Sequence, residues 1–95
     1  MDANALEILT EEMRADYQIP PYTPDEVVER ALQSCAARLS SLRPGADFED
    51  DLLARSYVKA YAYYELTHRR DEFLQNYGPD IRAWQLSEEV EEDET

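Results

Sequence analysis

With 95 residues and a formal net charge of −13 from 22 acids and 9 bases, the chain has room for one domain with a modest core. A hydrophobic content of 43% argues against wholesale disorder, and two glycines with five prolines argue against a many-stranded β fold. The acidity also argues against a nucleic-acid binder, which at this size carries a basic patch.

The acid sits in three blocks around a nearly neutral body. Residues 1–23 carry five acids and Arg14, residues 47–51 carry four acids, and residues 88–95 carry six acids and no base. Cys35 is the single cysteine, so no intrachain disulfide forms, which fits a reducing compartment. No apolar run reaches the roughly 20 residues of a membrane span, and the acidic N-terminus lacks a basic-then-apolar signal pattern. A soluble chain made inside the cell is expected.

A first helix is expected over 3–17, with Leu6, Leu9, Met13 and Tyr17 on one stripe and Glu7, Glu11, Glu12 and Arg14 off it. Ile19-Pro20-Pro21 stops it, because proline lacks an N–H and restricts the residue before it. Thr23 suits the N-cap of a second helix, with Pro24 at its first position and Glu26 completing a capping box. Val28, Ala31, Leu32, Cys35, Leu39 and Leu42 make its apolar stripe, and Pro44-Gly45 ends it.

The stretch 47–77 reads as one long helix capped by Asp47, with Gly78 as its stop and Pro79 beyond. A break near Thr67–Asp71 is the alternative. At about 100° per residue, Leu53, Tyr57, Ala60, Tyr61 and Tyr64 fall on one stripe. Phe48, Leu52, Ala62, Tyr63, Leu66, Phe73 and Tyr77 fall roughly opposite. Two opposed stripes predict a helix covered on both sides, with the chain's own helices on the Phe48/Leu52/Leu66/Phe73 side. The tyrosine stripe is then either core with its hydroxyls at the surface or a face for a second subunit. A short helical segment over 80–86 is anchored by Ile81 and Trp84. The acidic tail, 87–95, is expected to be disordered alone, because like charges in a block repel. The domain division is therefore 1–86 and 87–95.

Little catalytic chemistry is legible. His68, the single histidine, stands in no motif and reads as a solvated side chain; Cys35 lies mid-stripe and reads as a small buried apolar residue. The Asp47–Asp51 cluster lacks the alternating ligands and central glycine of a calcium loop, so it reads as helix capping. Neither metal nor cofactor is expected, nor an enzyme. Arg55, Lys59, Arg69 and Arg70 read as solvated charges or as partners for acids of a neighbouring copy.

A short acidic helix, a capped Thr-Pro-Asp-Glu-Val-Val-Glu-Arg-Ala-Leu helix (23–32) and the run Leu53-Ala54-Arg55-Ser56-Tyr57-Val58-Lys59-Ala60-Tyr61-Ala62-Tyr63-Tyr64-Glu65 together resemble the head–tail connector (adaptor) proteins of tailed bacteriophages. Arg70 to Tyr77 and Asp80-Ile81 through Trp84 extend the resemblance, which covers roughly residues 4 to 86. It implies an all-α bundle of three main helices plus a short C-terminal helix, assembled as a ring, usually a dodecamer, under the portal at the head–tail junction of the virion. Such a ring extends the DNA channel, docks the tail or stopper protein, passes DNA without specific binding and has no membrane role.

On that footing Leu53, Tyr57, Ala60, Tyr61 and Tyr64 would form the subunit interface. Glu49, Asp50 and Asp51 would line the channel, with Glu7, Glu11 and Glu12 as second choice. Trp84, Leu86, Glu88, Glu89 and Val90 would contact the portal. The rival expectation is an acidic helical interaction module or DNA-mimic inhibitor. A mimic needs its acids along one continuous exposed surface, whereas in sequence they cluster at segment ends. A helical regulator would need a basic recognition helix, and none is evident.

Overall fold

Four helices form: α1 (Ala3–Asp16), α2 (Asp25–Leu42), α3 (Leu52–Leu66) and α4 (Arg70–Glu94). The structure is a computed structural model that describes the backbone of residues 1–94 and the side chains of residues 1–87. Among the described residues every regular element is helical, the expected all-α architecture. The tail's expected behaviour and the candidate portal contacts Glu88, Glu89 and Val90 lie outside the described side chains.

Short polar side chains and prolines set the helix ends. Asp2 caps α1 by accepting from Ala5 N at 2.8 Å. After α1, Pro20–Thr23 closes a turn, Thr23 N donating to the Pro20 carbonyl at 3.0 Å, with Pro21 in the second position that favours proline. The expected capping box does not form. Pro24 is the N-cap of α2 and no side chain bonds the first turn. The Thr23 carbonyl and the Asp25 carboxylate instead accept from Arg14, which ties the end of α1 to the start of α2. After α2, Ala46 N donates to the Arg43 carbonyl at 3.1 Å. Pro44 and Gly45 fill the middle of that turn, and Gly45 takes the φ of +82° that a glycine permits at its third position.

Asp47 does cap, but not α3. Its Oδ1 accepts from Glu49 N at 2.9 Å and Asp50 N at 3.1 Å, organising a separate turn that buries Phe48. Asp51 caps α3, accepting from Leu53 N at 3.0 Å and Ala54 N at 3.4 Å. The long helix over 47–77 is thus replaced by a capped turn, α3 and the first eight residues of α4. The break falls at Thr67–Arg69, inside the alternative window. The stop at Gly78 is also overturned: α4 runs through Gly78 and Pro79, so the segment 80–86 is its continuation. Proline costs α4 one backbone hydrogen bond. The spacing of Phe73, Tyr77, Ile81 and Trp84, however, keeps one apolar face running through it, and Phe73, Ile81 and Trp84 on that face are buried.

The core is one connected cluster with two compartments, one on either side of α3. Leu9, Met13, Val28, Leu32, Cys35 and Leu39 from α1 and α2 close on Ala54, Val58 and Ala62 of α3, all nearly inaccessible. α3 packs most extensively on α2, and its small residues let the helices approach closely. This face is not the expected one: Leu52 is 78% exposed and Leu66 only half-buried. Ala54 and Val58, in neither expected stripe, occupy the centre of the buried arc. The second compartment lies between α3 and α4 and is aromatic.

Candidate functional site

Three tyrosines on α3 and three rings on α4 form the most distinctive side-chain cluster among the described residues. Tyr61 stacks on Phe73 with ring centroids 4.3 Å apart and planes 4° from parallel. Phe73 stacks on Tyr77 at 4.8 Å. Tyr64 meets Phe73 and Tyr77 edge-on at 5.8 and 6.1 Å, and Tyr57 meets Tyr77 and Trp84 edge-on at 6.4 and 5.7 Å. Each such pair contributes on the order of 1 kcal/mol beyond its buried area. The pairing runs antiparallel, with the end of α3 against the start of α4. Asn76 Nδ2 donates to the Tyr64 hydroxyl at 3.2 Å, and Arg69 lies over the Tyr64 ring at 4.9 Å from its centroid. Burial pushes the Tyr57 hydroxyl above its usual range, helped by the negative charge of Asp80 and Asp51.

The stripe expected to face a neighbouring subunit is therefore covered by the chain's own α4. Tyr61 and Ala60 are buried, Tyr57 and Tyr64 half-buried, and Leu53 alone stays open, at 56% exposure. The sequence reading missed this because it ended the helix at Gly78 and left no helix to fold back. The 73/77/81/84 spacing across the Gly-Pro pair was the signal that could have shown it. Trp84, a candidate portal contact, is likewise interior: it is 3% exposed, its Nε1 donates to Asp51 Oδ2 at 3.4 Å, and Arg43 stacks over its ring at 5.1 Å. Leu86 remains on the surface.

The bases read as solvated or intersubunit are mostly paired inside the chain. Arg55 binds both carboxylate oxygens of Glu12 and donates to the Glu49 carbonyl at 2.9 Å. Lys59 reaches Glu12 at 3.0 Å and Asp16 at 2.9 Å. The Arg55 hydrogen bonds, reinforced by Lys59, hold the Glu12 carboxyl below its ordinary range against the opposing effect of burial. Arg38 pairs with Glu65 at 2.7 Å, and Arg70 with Glu65 at 3.8 Å. Glu12 is thus committed to structure rather than free to line a channel. So is Asp51, as a cap and as a partner of Arg43 at 3.8 Å.

Glu49 and Asp50 remain exposed, as do Glu7 and Glu11. Folding brings Asp2 of the first acidic block beside Asp47 and Glu49 of the second. Met1, Asp2, Asp47, Phe48 and Glu49 line one open cleft there, and Ile8, Phe48, Glu49, Asp50 and Arg55 line a smaller one beside it.

Cys35 is fully buried, and desolvation, with the charge of Glu65 adding to it, pushes its thiol up to about 12. A thiol held protonated at neutral pH is no nucleophile. His68 is exposed at the α3–α4 joint. Among the described residues no group of three or more His, Cys, Asp or Glu side chains is arranged to hold a metal ion, and no helix is long and apolar enough to cross a membrane. A shallow apolar groove of about 690 Å³ lies between α2 and α4, lined by Leu39, Leu42, Phe73, Leu74 and Ile81 with Arg38 and Arg82 at its rim. No family model, curated protein or solved structure matches the chain.

Proposed function

We propose that the protein is a structural connector of tailed-phage type, a subunit of a ring under the portal that extends the DNA channel and docks the tail or stopper. The observation that carries this reading is the acidic face. Among the described residues seven of the nine basic side chains are held in ion pairs with the chain's own acids, while Asp2, Asp47, Glu49 and Asp50 line two adjoining clefts on one side with Arg55 as the one basic side chain beside them. Repeated around a ring, that face gives a wall that repels phosphate over about 10 Å at 0.1 M salt, and DNA slides past without adhering. The connector works by shape and charge, with no catalytic step.

The burial of Tyr61 and Ala60 argues against a subunit contact on the tyrosine stripe, and the reading then assigns that contact to exposed apolar side chains such as Leu52, Leu53 and Leu86. Negative-stain microscopy of the protein with and without its cognate portal tests the reading. Rings or a capped portal are expected; a chain that neither closes into rings nor adds density to the portal overturns it.

The same cleft favours a second reading, a DNA-mimic inhibitor, since folding sets Asp2 beside Asp47 and Glu49, which are distant in sequence. A gel shift distinguishes the two: a mimic displaces duplex DNA from a basic protein target, and a connector does not.

A further inference from the structure

The joint between α3 and α4 is three residues long, Thr67, His68 and Arg69. It closes as a Schellman turn: His68 N donates to the Glu65 carbonyl at 3.1 Å and Arg69 N to the Tyr64 carbonyl at 2.7 Å. The turn holds His68 in the left-handed region, at φ +59°, where glycine is the favoured residue. Local sequence permits the bend without forcing it. No proline or glycine stands between Leu52 and Tyr77, and the Thr67 hydroxyl bonds the Tyr63 carbonyl at 3.0 Å, four residues back, a contact that tends to bend a helix without ending it. The packing of α4 on the tyrosine face of α3 holds the bend closed.

We propose that α4 exchanges between two copies of this chain. The joint straightens, α3 and α4 become one continuous helix, and two such helices lie antiparallel with each α4 on the other's α3. The occupant of the uncovered face is a second copy because the face is shaped for α4: the stacked Tyr61–Phe73 pair and the Tyr57 contacts to Tyr77 and Trp84 are all recovered between chains. The antiparallel packing within one chain is the geometry that permits reciprocal exchange. Exchange needs no new interface, so it is a low-cost route to a dimer, and a short joint under strain favours it. Straightening relieves two left-handed residues per dimer, which offsets part of the association entropy. This exchange does not depend on the connector reading, since it is a property of the isolated chain.

The experiment compares the wild type with His68→Ala and His68→Gly by light scattering across about a hundredfold range of protein concentration. Alanine disfavours the left-handed joint and favours the helix; glycine does the reverse. The dimer association constant is expected to rise about a hundredfold for His68→Ala, about tenfold per joint, and to fall for His68→Gly. In a dimer assembled from labelled and unlabelled chains, isotope-filtered NOEs between Tyr61 and Phe73 should be intermolecular. Wild type annealed from mild denaturant at high concentration gives the same NOE test without any substitution. Equal self-association of the three proteins, including all three remaining monomeric, overturns the proposal. So does a dimer whose Tyr61–Phe73 NOEs stay within one chain.

Discussion

The two sides of α3 are built from different materials. Toward α1 and α2 it presents Ala54, Val58 and Ala62, dry and nearly inaccessible, closed by aliphatic side chains from two helices and fastened at the edges by Glu12–Arg55–Lys59 and Arg38–Glu65. Toward α4 it presents tyrosines that are buried or half-buried, met chiefly by one helix that enters through a three-residue joint. The aliphatic side gains from burial and from ion pairs that span long sequence separations. The aromatic side gains from ring packing along a single antiparallel pair. The first is a core; the second is a seam, and a seam can open while the core stays closed.

The largest expected effect is on the core. Leu32→Ala removes a fully buried side chain and should cost about 4 kcal/mol, so in urea both compartments should lose structure together at a lower midpoint. Circular dichroism and Trp84 fluorescence should then report one transition. Two separate transitions would show that the core does not hold up the seam.

Phe73→Ala should act on the seam alone. Phe73 is 1% exposed and touches Tyr61, Tyr64 and Tyr77, and its truncation is expected to cost about 3 kcal/mol of α4 docking. Amide exchange should speed up through α4 while α2 keeps its protection. If α2 loses protection equally, the two compartments are one cooperative unit and the distinction between them fails.

A smaller effect is expected from Glu12→Gln, which breaks the network tying α1 to α3. The carboxylate is about one-third exposed, so solvent screening limits the loss to about 1 kcal/mol. Because folding lowers the Glu12 value below 4.5, its contribution is present above that pH and is lost as pH falls through the lower, folded value. The parent should therefore lose stability on acidification more steeply than Glu12→Gln in urea titrations below that point; parallel curves would remove Glu12 from the account. On the alkaline side Cys35 works in the opposite sense. Its value rises from 9.0 to about 12, so stability holds below the first and declines as pH climbs toward the second.

The smallest effect belongs to Leu53→Ser. Leu53 shares a wheel stripe with Tyr61 but is 56% exposed, so the substitution should change monomer stability by no more than about 0.5 kcal/mol. A thermal shift as large as that of a core substitution would mean the stripe acts as one buried surface after all.

Local chemistry made much of this chain legible. The all-α class follows from scarce glycine and clear apolar stripes. The stripes of α1 and α2 are read correctly up to Leu39, with Leu42 at the end of α2 exposed, because each helix has one partner side, so period alone identifies it. Proline in Pro20-Pro21 and Pro44-Gly45 acts on the backbone of its neighbours, and both turns form where the sequence puts them. Tertiary structure decided the rest. Asp51 rather than Asp47 caps α3, because Asp51 also meets Arg43 and Trp84 from distant parts of the chain. α4 passes through Gly78-Pro79 because one lost hydrogen bond is outweighed by burial of Phe73, Ile81 and Trp84 on a continuous face. Whether Tyr57, Tyr61 and Tyr64 face a subunit or the chain itself depends on where α4 goes. A helical wheel gives the direction of a side chain from its own axis, but not which helix, or which molecule, lies in that direction.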